Sequence, residues 1–189
     1  MARPRQHSRE EILAAAALVF RDEGVTATTA QIAKAAKVSN GTLFNYYPTK
    51  QSLIDALYVW LKADLARAIG TIESTMPPHS QLHLIWDRWL AWARDHPDRH
   101  AVIHVLHRSG LASHAARSEA GEHFQVPARV LADAQAARLF VDLPTMYLVE
   151  IMEQQLDHAA TSQLDTRAEE IAFNVMWNGI TSTGPGELG

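Results

Sequence analysis

Between residues 39 and 50 lies a run of side chains suited to hydrogen bonding: Ser39, Asn40, Thr42, Asn45 and Tyr46 offer hydroxyl and amide groups, and Lys50 adds a positive charge. Such groups match phosphate oxygens and the donor and acceptor edges of nucleic-acid bases. Gly41 has no side chain, so the backbone there can approach a phosphate closely. Lys50 falls at a helix start, where backbone amides already favour an anion. This is binding chemistry rather than bond-making chemistry. The chain contains no G-x-S-x-G, H-E-x-x-H, P-loop or dinucleotide glycine motif, and we assign it no catalytic residue and no cofactor. A helical enzyme or small-ligand carrier without a motif is a remote alternative. It would show no salt-sensitive, sequence-specific DNA affinity.

Two further groups carry possible ligand chemistry. His96, His100, His104 and His107 form a stripe at helical spacing, and His79 and His83 stand at i, i+4. Imidazoles so paired can hold zinc, nickel or copper. A polar helix face accounts for the stripe as well, because neither cysteine nor an obvious fixed carboxylate accompanies it. No metal ligand is assigned, and a His-based, metal-responsive protein stays open as an alternative. Trp86 and Trp89 lie about 60° apart on a helix of roughly 100° per residue and can face one cavity, whereas Trp92, about 120° from Trp86, points elsewhere. Aromatic pairs of this kind serve either as plain core or as a ligand wall. Glu150, Glu153 and Asp157 could favour a cationic ligand, or simply form a solvated face.

The elements that must position these residues are helical, with almost no strand alternation, so the expected class is all-α. Ser8 with Glu11 makes a capping box ahead of Ile12, Ala16, Val19 and Phe20, and Gly24 stops that helix. Thr28 with Gln31 repeats the pattern for a short second helix ending near Ala36. Ser39 caps a third of barely two turns, stopped by Pro48. Thr49 opens a fourth that can run to about Glu73, before the linker Ser74-Thr75-Met76-Pro77-Pro78. Further helices are expected at about 81–95, 98–108, 114–139, 143–163 and 167–183, with Pro127 bending or dividing the third of these and Thr166 with Glu169 as another capping box. The count is nine.

Charge is unevenly placed. The net value is −4, yet residues 1–50 hold seven Lys or Arg, including Arg3 and Arg5, against four acids. A basic head on an acidic body points to polyanion contact confined to the N-terminus. Absence of cysteine excludes disulfides and thiolate metal sites, and favours a cytoplasmic location. The apolar run from Ile12 to Phe20 is bracketed by charges and too short to span a bilayer, so no membrane association is expected.

The segments Thr28-Thr29-Ala30-Gln31-Ile32-Ala33 and Val38-Ser39-Asn40-Gly41-Thr42-Leu43-Phe44-Asn45-Tyr46-Tyr47-Pro48-Thr49-Lys50 resemble the TetR family signature, over residues 8–58. The resemblance implies a nine-helix TetR-like architecture. An N-terminal three-helix helix-turn-helix DNA-binding domain (1–50) would precede a helical ligand-binding and dimerisation domain (51–183) and a flexible tail (184–189). It implies a homodimer on a palindromic double-stranded DNA operator, acting as a ligand-responsive repressor, or as an activator of the same fold. The DNA-facing set becomes Arg3, Arg5, Thr28, Ser39, Asn40, Gly41, Thr42, Phe44, Asn45, Tyr46 and Lys50. Two positions depart from the pattern. Lys37 stands at a turn position where glycine is usual, so a left-handed backbone there costs roughly 1 kcal/mol. Phe44 stands where tyrosine is common, which removes a hydroxyl. A narrower resemblance, to the RamR-like multidrug-responsive repressors, is carried by Ile85-Trp86, His96-Pro97-Asp98-Arg99-His100 and the Arg138, Phe140, Asp142 spacing. It implies an aromatic cavity for a small amphipathic or aromatic effector, at Tyr58, Lys62, Trp86, Trp89 and Asp142.

Overall fold

The computed structural model describes residues 8–162 and 164–182. The fold is all-α, with ten α-helices among those residues: α1 (Arg9–Glu23), α2 (Thr29–Ala35), α3 (Asn40–Tyr46), α4 (Lys50–Ile69), α5 (Pro78–Asp95), α6 (Pro97–Arg108), α7 (His114–Glu122), α8 (Gln125–Ala136), α9 (Thr145–Thr161) and α10 (Thr166–Ile180). Arg3, Arg5 and the expected tail 184–189 lie outside the described residues.

The chain divides into two compact units, residues 1–66 with 96–123, and residues 67–95 with 124–189. In the first, α1 packs against α2 and α6, and α2 against α3. Ile12, Ala16, Phe20, Ile32, Leu43, Leu53, Leu57 and Leu61 are buried. Both expected capping boxes form: Ser8 Oγ accepts from the Glu11 amide at 3.0 Å while Glu11 accepts from the Ser8 amide at 3.0 Å, and Thr28 and Gln31 pair in the same reciprocal way. In the second unit, α5 packs against α8, α9 and α10. Its core includes Leu82, Ile85, Trp86, Leu131, Leu148, Leu156, Phe173 and Ile180. A single antiparallel bridge, Phe140 to Thr181, ties the α8–α9 loop to the end of α10.

Four expectations about helix ends are corrected. Helix α4 stops at Ile69 rather than near Glu73, because Gly70 turns left-handed at φ +62° and Arg88 donates to the Ile69 and Thr71 carbonyls. Helix α5 starts at Pro78, three residues before position 81; proline suits a first turn, whose amides have no helical acceptor. The single helix expected over 114–139 is two, α7 and α8, broken at His123 and Phe124, which makes ten helices of nine. Pro127 does not make that break; it sits in the first turn of α8, where its missing donor costs nothing. The cap of α10 is Asp165 rather than Thr166: its carboxylate accepts from the Ala168 amide at 2.8 Å, while Glu169 pairs with Arg94. No helix among the described residues is long and apolar enough to cross a membrane.

Candidate nucleic-acid interface

The turn between α2 and α3 is set by hydrogen bonds that close a helix end. The Val38 amide donates to Ala33 O at 3.0 Å and the Lys37 amide to Lys34 O at 3.1 Å, the paired bonds of a Schellman motif. That motif needs a left-handed residue, and Lys37 adopts φ +56°. The chain thus carries at Lys37 the left-handed backbone that the family resemblance implies for this position.

Ser39 then starts α3. Its hydroxyl accepts from the Thr42 amide at 3.0 Å and lies 2.9 Å from the Thr42 hydroxyl, so these two side chains fix the first turn. Leu43 is buried and anchors the helix. Asn40, Gly41, Phe44 and Asn45 are exposed, with Thr42 and Tyr46 half-exposed. At roughly 100° per residue the four exposed positions span about 140° of one face, opposite Leu43. The structure therefore brings together Asn40, Gly41, Thr42, Phe44, Asn45 and Tyr46 on one short helix, with Ser39 at its start. A β-carbon at Gly41 would meet only Ser39 Oγ, at 3.7 Å, so the fold itself does not require glycine there. The exposed Thr28 caps α2. Lys50 opens α4 half-exposed, behind a reciprocal cap in which the Thr49 and Ser52 amides each donate to the other's hydroxyl at 3.0 and 2.9 Å.

Two positioning features carry no signal in the sequence motif. Tyr47, just past α3, is buried, its hydroxyl 3.3 Å from Arg9 O and its ring 5.7 Å from the Arg9 guanidinium, which joins the end of α3 to α1. Burial holds its phenol above the ordinary range, against the pull of Arg9. In the first turns of α4, Asp55 Oδ1 accepts from Gln51 Nε2 at 2.9 Å and from the Ser113 amide at 2.9 Å, and Gln51 Nε2 also donates to Leu111 O at 2.9 Å. This clamp ties α4 to the turn between α6 and α7. The partners lie about sixty positions away in sequence, beyond any local pattern.

The positions named for an effector fall in both units. In the first, Tyr58 and Lys62 are buried on α4, and the Tyr58 hydroxyl lies 3.4 Å from His107 Nδ1. In the second, Trp86 and Trp89 are buried on α5; Trp86 meets Phe173 edge-on at 5.7 Å and Trp89 is tilted against Phe124 at 6.1 Å. Trp92 is buried as well. The Trp86 indole nitrogen is buried with no hydrogen-bond partner among the described residues. Asp142 is exposed in the loop between α8 and α9.

Residues 12–57 match the family described as bacterial regulatory proteins, tetR family. Solved structures share the fold along most of the chain. A protein assigned to the tetR family of transcription regulators from Shewanella sp. PV-4 superposes with a TM-score of 0.83 at 24% identity, covering 92% of this chain and 98% of its own. A TetR family transcription regulator from Marinobacter aquaeolei VT8 gives 0.82 at 19% identity, covering 92% and 95%. A TetR-family transcriptional regulator from Haemophilus influenzae Rd gives 0.69 at 16% identity, covering 92% and 96%. The head is therefore of the TetR helix-turn-helix type and the whole fold is TetR-like. These are likenesses to transcription regulators.

Proposed function

We propose that this chain is a TetR-family transcriptional regulator, a cytoplasmic repressor that binds a palindromic DNA operator as a homodimer and leaves it when a small amphipathic or aromatic effector binds. The observation that carries the reading is the exposed face of α3, a two-turn helix on a buried Leu43 anchor with Lys50 at the start of the next helix. So short a helix contacts too few base pairs for adequate specificity, which two copies on half-sites about one helical turn apart would supply. Support for a second copy comes from α9 and α10, where Met146, Tyr147, Ile171 and Val175 are each more than half exposed. Support for an effector on α5 comes from Trp86, whose buried N–H has no partner among the described residues; a ligand acceptor would satisfy it. The narrower placement among RamR-like multidrug-responsive repressors rests on the residue pattern alone.

Genomic footprinting followed by titration of the purified protein on the recovered site tests the reading. Lys50→Ala should weaken binding to all DNA and reduce the salt slope by about one, as for one lost phosphate contact. Asn45→Ala should relax preference at particular base pairs. Equal losses on operator and random DNA for both variants would remove Asn45 from base reading. An effector coupled to the operator by roughly 1–3 kcal/mol would lower DNA affinity about 5- to 150-fold, and Trp86→Ala should lose that response while keeping operator affinity.

A further inference from the structure

Two histidine pairs stand at i, i+4 spacing, His79 with His83 and His100 with His104, and the structure separates them. Both nitrogens of His83 are engaged, Nδ1 at 3.0 Å from Asp87 and Nε2 at 2.7 Å from Glu170, so that ring is committed to carboxylates. His100 and His104 occupy successive turns of α6 within the first unit. Their ring centroids are 4.8 Å apart, edge to face. A ring nitrogen of each lies within 4.8 Å of the other's. His100 is buried and His104 half-buried, so the pair does not lie on the solvated face that a merely polar stripe would occupy.

We infer that His100 and His104 form a binding site for one divalent transition-metal ion of the class that prefers imidazole nitrogen, namely zinc, nickel or copper. Two zinc–nitrogen bonds of about 2.0–2.1 Å at a tetrahedral angle place their nitrogens roughly 3.3 Å apart. The rings already stand within side-chain rotation of that separation, and helix geometry keeps them on one face, as in helical two-histidine sites. Solvent or a further donor completes the coordination. The ion would join two turns of a helix that packs against α1 and whose first turn is tied to it, Asp98 lying 2.8 Å from Arg21. This site is independent of the effector reading at Trp86, and either can fail without the other.

The test is isothermal titration of the untagged, full-length protein with zinc, nickel and copper chlorides, with paramagnetic resonance of the copper form to count nitrogen ligands. One ion per chain is expected, with two nitrogens coupled to copper. His104→Gln should weaken binding by more than the roughly 10- to 100-fold that loss of a supporting partner costs, while His83→Gln should leave it unchanged. Because replacing the buried His100 can disturb α6, His104→Cys provides a second arm: it should retain binding and add a thiolate charge-transfer band with cobalt. Absence of stoichiometric binding by the unmodified protein, binding unaltered in His104→Gln, or a His104→Cys protein that loads cobalt without that band would each overturn the site.

Discussion

At the scale of single residues, Lys37 carries a backbone cost at the turn that leads into α3. A left-handed backbone at φ +56° suits glycine, yet the turn that places α3 requires it of a lysine whose side chain is exposed. Relief of this strain in Lys37→Gly should raise stability by about 0.5–1 kcal/mol, partly offset by the freer unfolded chain. Urea denaturation would measure it. A loss of stability would mean that the lysine side chain contributes more than the backbone costs. Arg138 takes the same conformation, φ +58°, at the end of α8, with the Leu139 amide donating to Ala134 O at 3.0 Å. Among the described residues, left-handed helix ends without glycine therefore occur twice, and both are held by the same pair of backbone bonds.

Between elements, two contacts have consequences that can be measured. The Asp55 clamp gives the Ser113 amide its acceptor at the half-buried start of α7. In Asp55→Ala that amide loses its acceptor, and the fold should lose about 1–2 kcal/mol. Operator affinity should fall as well, because α4 carries Lys50. Asp55→Ala with unchanged midpoint and unchanged DNA binding would show that the clamp is idle. The second contact joins α5 to α10 through His83. Burial opposes its charge, but Glu170 and Asp87 outweigh that and hold its pKa above the ordinary imidazole range; His83 in turn holds Glu170 below the ordinary carboxylate range. The raised histidine contributes stability fully below its unfolded pKa, and this is lost as pH rises through the folded value. The depressed Glu170 contributes above its own unfolded pKa, and that is lost as pH falls through its folded value. The contact is therefore strongest in the mildly acidic window between the two. The urea midpoint of His83→Gln should lie below that of the unmodified protein near pH 5.5 and converge on it by about pH 8.5; a pH-independent difference would assign the effect to packing against Phe173, whose ring centroid is 4.5 Å away.

For the whole molecule, the apolar exposure on α9 and α10 is the feature that a lone chain leaves unexplained. Ile171 and Val175 stand one turn apart on α10 and point to solvent, where glutamates would cost the single chain little. In the proposed dimer the same glutamates would be buried against a second copy. Ile171→Glu with Val175→Glu should therefore give a folded monomer by light scattering, with operator affinity much reduced. A dimer that persists would move the interface elsewhere on the molecule.

Residues 8–50 could be read almost directly, since their determinants are short-range. Ser8 with Glu11, Thr28 with Gln31, and Ser39 with Thr42 all act over three positions, which is the spacing that satisfies free amides at a helix start. Helix α3 and the caps of α1, α2 and α3 follow from that, whereas the cost at Lys37 was legible only through the TetR family resemblance. The place of the break at His123 and Phe124 did not follow, because Gly121 before it lies inside α7 and Pro127 after it lies in the first turn of α8, so neither marks the break itself. Periodicity also could not distinguish the two histidine pairs, for spacing along one helix does not specify what a second element places beside it. Glu170, 87 positions from His83, commits that one ring of its pair to a carboxylate. Tertiary packing likewise buried His100, Trp92 and Lys62 and left Ile171 and Val175 in solvent. Burial is decided by which faces meet, and a single helix carries only its own half of that information.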